Sequence, residues 1–213
     1  DIDKQIMEMT EQYGKVKSLG VKGLQVLNRL MSSKIEMNDS LVVRQMQKFV
    51  GMGDLLRKIS GEYSFIIDRN EAFLNWKYAY PRLGDFRLSV VEEDGTPLGY
   101  SVLRINRLNP GYPIGYIVDL LALKERTDAV HSLLFDANEY FDSANVNIVN
   151  CQIVKGHYFE SILKDYGFLD SRIKIMMYHN RDAPPEMKLL ENVHSNLVHV
   201  SWGDHDALPS GKR

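Results

Sequence analysis

The sequence predicts an α+β fold: a mixed central sheet with helices on both faces, preceded by a helical N-terminal segment. Three observations carry this. Phe86, Leu88 and Val90 alternate with Arg87, Ser89 and Val91, and an Asp94-Gly95 pair follows, which is the pattern of an antiparallel hairpin. Residues 114–123 (Ile-Gly-Tyr-Ile-Val-Asp-Leu-Leu-Ala-Leu) are almost continuously apolar, which suits a strand buried on both faces. Directly after them Val130, Leu133, Leu134, Ala137, Tyr140 and Phe141 recur at helical spacing.

The other elements follow in order. Residues 1–33 read as helix, with Ile2, Ile6, Met9 and Tyr13, then Leu24, Leu27, Leu30 and Met31, at helical spacing around a break at Gly20 and Gly23. Lys15, Lys17, Lys22, Arg29 and Lys34 make this region basic: a solvated helix face, or a contact with an anionic partner or an upstream domain. Residues 35–49 are ambiguous, since Leu41, Val42 and Val43 favour a strand while 45–49 suits either state. A short helix over 54–60 carries Leu55, Leu56 and Ile59 on one side, with Asp54 in its N-cap region and Gly61 at C′. The return strand of the hairpin is 98–105, and Asn109-Pro110-Gly111 with Pro113 marks a turn. Beyond the central helix come a strand over 146–154, a helix with Tyr158, Phe159, Ile162 and Leu163, and Gly167 as its C′ residue. Ile173, Ile175 and Met177 alternate as a strand. A short helix holds Met187, Leu189 and Leu190, and Leu197, Val198 and Val200 form the last strand. There is no internal repeat.

Bulk composition excludes several classes. The 213 residues are 44% hydrophobic and 25% charged, ordinary for a globular protein. Lys plus Arg number 26 against 28 Asp plus Glu, for a net charge of −2, without the basic excess of a nucleic-acid surface. No apolar run approaches the ~20 residues that span a bilayer. Cys151 is the single cysteine, so no intrachain disulfide forms, in keeping with a reducing, cytoplasmic setting; it reads as a small buried hydrophobe. A chain opening on Asp1 is expected to be trimmed or part of something longer. We divide it into a helical lead-in or linker, 1–50, and one folded domain, 51–213.

The chemistry-bearing feature is the passage from strand 114–123 into the helix. A helix N-terminus presents unpaired N–H groups and can hold an anion. The connecting residues, Lys124-Glu125-Arg126-Thr127-Asp128, contain no glycine to bring backbone close to a phosphate. Elsewhere, His194, His199, Asp204, His205 and Asp206 match no metal-ligand spacing and read as a polar C-terminal tail. Phe73, Trp76, Tyr78 and Tyr80 form an aromatic cluster that packs against the sheet or lines a cleft. No Ser-His-Asp or Walker-type pattern is present.

The order of elements over 86–177 resembles the GNAT superfamily of acyl-coenzyme-A-dependent N-acyltransferases. Its clearest piece is Tyr158-Phe159-Glu160-Ser161-Ile162-Leu163-Lys164-Asp165-Tyr166-Gly167-Phe168, similar to the family's second helix and Gly-Phe. Residues 68–78 (Asp-Arg-Asn-Glu-Ala-Phe-Leu-Asn-Trp-Lys-Tyr) and 202–206 (Trp-Gly-Asp-His-Asp) resemble elements of GNAT-like proteins that often carry two such domains in tandem. The resemblance implies an acyl group passed from acetyl-CoA or another acyl-CoA to an amine on a small molecule or protein, and a companion GNAT domain or a homodimer. Asp119 would be the base, with Tyr158 or Tyr166 as the acid, because Leu163 stands where many members carry tyrosine. Backbone around Leu121 and Leu123 would hold the pantetheine arm, and amides of Arg126, Thr127, Asp128, Ala129 and Val130 the pyrophosphate. Two departures point to an alternative, a degenerate GNAT-fold binding or assembly module without coenzyme: the leucine, and a turn about three residues short that lacks both family glycines and carries Asp128.

Overall fold

The structure, a computed structural model, describes residues 38–80, 84–107, 111–170 and 193–204. The N-terminal helix, the 173–177 strand, the 187–190 helix and His205-Asp206 lie outside the described residues.

Five strands form one sheet in the order β1-β3-β4-β5-β6. Residues Leu41–Met46 are β1, antiparallel to β3 (Arg87–Glu93) with Leu41 opposite Glu93, so the ambiguous 35–49 stretch supplies a strand. β3 turns into β4 (Thr96–Asn106) through Asp94 and Gly95, both at positive φ (50° and 77°) as a primed hairpin turn requires. β5 (Ile114–Ala122) is buried at all nine positions, as its apolar run predicts. It is antiparallel to β4 and parallel to β6 (Ile148–Cys151).

That parallel ladder holds only four pairs, from Ile114–Ile148 to Ile117–Cys151. The expected 146–154 strand is therefore shorter. Asn145 sits at φ 53° and delays its start, and beyond Cys151 the chain leaves β5, so the two strands splay.

Helices cover both faces. Gly53–Gly61 (α1) and Glu71–Leu74 (α2), which continues as a π-helical turn over Asn75–Ala79, build one core with Phe49, Leu56, Ile59, Tyr100, Val102 and Val118. Asp54 lies inside the first turn of α1 and bonds Arg57; it caps nothing. Thr127–Ser143 (α3) and Glu160–Asp165 (α4) build the other with Leu103, Ile117, Val130, Leu133, Phe159 and Leu163. α4 starts two residues later than its apolar pattern suggests. It ends as the Gly167 reading expects: Gly167 (φ 83°) donates to Lys164 O and Phe168 to Leu163 O, the paired closure of a helix C-terminus. A second, two-stranded sheet pairs β2 (Phe65–Ile66) parallel with β7 (Val198–His199) and brings the 193–204 segment against the first core.

Candidate functional site

A β-bulge on the central strand positions the key carboxylate. Val102 faces Asp119 and Leu103 faces Ile117, so Val118 is an extra residue in β5. Strict alternation from Ile117, which faces the second core, would send Asp119 to that core too. With the bulge, Val118 packs in the first core, Leu120 in the second, and Asp119 turns toward Tyr100 in the first.

Asp119 is fully buried and fully partnered. Its Oδ2 accepts from Arg69 Nε at 2.9 Å and Tyr100 Oη at 3.0 Å, and its Oδ1 lies 3.3 Å from His199 Nε2. Burial alone would push its carboxyl up, but the Arg69 guanidinium, with His199 and Tyr100, holds it well below the usual carboxylate range. Arg69 is equally buried. It also donates to Ile67 O (2.9 Å), Ser201 Oγ (3.3 Å) and Asp204 Oδ2 (2.8 Å). His199 and Asp204 are thus core residues, which corrects the polar-tail reading: the buried Arg69 guanidinium supplies the partner that a buried carboxylate requires.

From Asp119 a file of hydrogen bonds runs toward the splay. The Phe159 amide donates to His157 Nδ1 (3.2 Å), which assigns the ring proton to Nε2. That nitrogen lies 3.3 Å from His199 Nδ1 and 3.2 Å from Tyr63 Oη. His199 Nδ1 accepts from His157 Nε2–H, so His199 carries its own proton on Nε2, facing Asp119. Burial, then His199 and Lys124, push His157 down to about 3, so it is neutral. At the outer end Lys124 Nζ sits 4.5 Å from the Tyr63 ring centroid and donates to Glu62 O.

The structure brings Asp119 and Tyr158 into one neighbourhood, since the Tyr158 ring stacks on His157 at 4.8 Å. Its hydroxyl donates to Ala122 O at 2.6 Å, and burial followed by Tyr63 raises its pKa far above the ordinary value. Tyr166 is elsewhere: it donates to His131 O on α3 (2.9 Å), and burial, then Asp165, push it up to about 12. The Cys151 thiol is pushed up to about 12 by burial and Asp119, in keeping with an inert packing role.

At the β5–α3 turn, Arg126 N bonds Leu123 O (2.9 Å), a single tight turn. Leu123 N donates to Leu98 O, and Lys124 N faces the Glu62 carboxylate (3.2 Å). The Asp128 carboxylate accepts from the Ala129 amide at 3.0 Å, from Arg126 (3.0 and 2.9 Å) and from Asn38 (2.9 Å). These bonds, Arg126 foremost, hold Asp128 down at about 2. Arg126 also pairs with Glu93 at 2.8 Å. The first turn of α3 therefore already carries the chain's own carboxylate, held by Arg126 and Asn38, and Lys124 and Arg126 are both committed.

Sequence reasoning missed His157 as a site residue and placed His199 and Asp204 in a tail. Neither histidine carries a spacing signal. Arg69 and Asp204 lay in the two flanking motifs of the resemblance, and they pair with each other while Arg69 reaches Asp119.

No protein-family model and no curated protein matches this chain. Among solved structures, it is similar to an aminoglycoside acetyltransferase from an uncultured soil metagenomic sample, at 14% identity and TM-score 0.50 over 68% of this chain and 99% of that one. It is also similar to an Agrobacterium tumefaciens protein described as an acetyltransferase, at 18% identity and TM-score 0.50 over 65% and 99%. At these identities the likeness is one of fold, and the mixed sheet with helices on both faces is the one the sequence led us to expect: the chain has the fold of the GNAT acyltransferases.

Proposed function

We propose that this chain is a GNAT-fold domain that acts as a binding or assembly module, partnered by a companion GNAT domain or a second copy, and does not seat acyl-coenzyme A at the β5–α3 turn. The observation that carries this is the Asp128 carboxylate on the N-terminus of α3, fixed by Arg126 and Asn38. A coenzyme pyrophosphate would have to displace it and lie against Glu93 as well. Helix-end attraction for an anion is about 0.3–1 kcal/mol, which one neighbouring carboxylate offsets. The residues present do not fit the coenzyme. Tyr158, bonded to Ala122 O, likewise uses a backbone group a pantetheine arm would need, and Leu123 N is turned the other way, to Leu98 O on the β4 side.

Titration of the chain with acetyl-CoA in a calorimeter tests this: no heat at millimolar coenzyme is the expected result. A Kd in the micromolar range, about −8 kcal/mol at 1 μM, would overturn it. A second reading, N-acyl transfer from acyl-CoA to an amine, is favoured by one observation: the Asp119–His199–His157–Tyr63 file links a central-strand carboxylate to the splay. In that reading Asp119 acts through the file rather than by contact, because its own oxygens are fully buried. Micromolar coenzyme binding would bring this reading forward.

A further inference from the structure

We propose that the depression between residues 47–50 and the π-helical turn after α2 is a binding site for a small anion bearing a planar ring, of the nucleoside monophosphate class. This inference is independent of how the β5–α3 turn is read.

The π-helical turn divides the aromatic cluster between core and surface. Leu74 and Tyr78 go to the core, while Trp76 stays 63% exposed and Tyr80 55% exposed. Val50 beside them is 65% exposed. Large side chains held in water on one small surface mark an interaction site more often than chance exposure does. The depression that Trp76 and Tyr80 line, with Gln47, Lys48, Asn75 and Ala79, measures about 700 Å³, within the range of small-ligand sites.

Its walls are rigid. Asn75 Oδ1 accepts from the Phe49 amide at 2.7 Å and its Nδ2 donates to Phe49 O at 2.8 Å, while Glu71 Oε1 accepts from the Met52 amide at 2.6 Å. These bonds stitch the 47–52 stretch to the α2 turn, and Phe49 itself is fully buried. The backbone that carries Lys48, Trp76 and Tyr80 is thus positioned before any ligand arrives. The charge is one-sided: Lys48 lines the depression, Lys77 stands on the same turn over the Phe73 ring (5.5 Å), and among the described residues no carboxylate lines it. Aromatic faces beside an ammonium suit a stacked ring with an attached anion.

The test titrates wild-type protein calorimetrically with AMP, adenosine and ribose 5-phosphate. In parallel, Trp202→Phe leaves Trp76 as the sole indole reporter by fluorescence. We expect AMP to saturate in the millimolar range or below, and adenosine and ribose 5-phosphate to bind at least about tenfold more weakly, since each lacks one of the two groups recognised. Trp76→Ala should abolish the AMP heat and Lys48→Glu should weaken it at least about tenfold; both positions are exposed, so both variants fold. Absence of saturable AMP binding overturns the proposal, as does adenosine binding as tightly as AMP. AMP binding unchanged in both variants would also overturn it, and would place the nucleotide at another site, the β5–α3 turn included. Should Trp202→Phe not fold, the calorimetric series alone decides.

Discussion

His157 shows how one buried side chain gives the molecule a pH dependence. Its ring is neutral because burial and the neighbouring His199 and Lys124 disfavour a charge, which lowers it from 6.5 to about 3. Between those values the unfolded chain binds a proton the folded chain refuses. Stability from this group is therefore full above pH 6.5 and is lost as pH falls toward 3. Asp119 acts in a separate window: its folded value is depressed below the ordinary 3.8, so its contribution declines only below about pH 4. Urea midpoints at pH 7.5 and 5 should accordingly fall in the wild type, and His157→Gln, which does not titrate, should flatten that slope. Equal slopes in the two proteins would refute the assignment of this window to His157. The site was legible in part. Asp119 stood out as a lone carboxylate in an apolar strand, and Asp128 as a carboxylate where an anion would sit. The histidines did not, because their roles depend on contacts such as 157 with 199, between positions that share no period.

The 198–204 segment is the element that closes the first core, and Gly203 is where it fits most tightly. A Cβ there would collide with Tyr78 Oη and come within 3.2 Å of Tyr78 Cζ. The Tyr78 hydroxyl is buried, with no hydrogen-bond partner among the described residues. Gly203→Ala should therefore destabilise by about 1–3 kcal/mol, the usual cost of overpacking. Tyr78→Phe should be neutral or stabilising, since it removes an unsatisfied polar group. The double variant should recover part of the Gly203→Ala loss, because the oxygen that clashes is gone. Additive losses in thermal unfolding would mean that the clash is not what the alanine meets. The elements around this segment were readable where periodicity was strong, as in β3, β4, β5 and α3. The short pieces were harder. β6 and β7 fall where strands were expected but hold only four and two ladder residues, too few for a pattern to fix their ends, and the π-helical turn after α2 has no spacing signature that separates it from an α-helical one.

Arg69 joins parts of the chain that no local pattern connects. One side chain, 1% exposed, bonds Ile67 in its own loop, Asp119 on the central strand, and Ser201 and Asp204 in the last described segment. Breaking a buried ion pair by removing one partner typically costs about 3–5 kcal/mol, because it leaves an uncompensated charge in a dry interior. Arg69→Met would leave two such carboxylates, so it should lose at least that much in urea unfolding, a large share of the 5–15 kcal/mol typical of a domain. Neutralising the partners tests the cause. Asp119→Asn combined with Asp204→Asn in the Arg69→Met background removes both stranded charges, and should be more stable than Arg69→Met alone. If instead the triple variant is the weaker protein, then packing around the guanidinium stem, and not its charge, is what holds the last segment on the sheet.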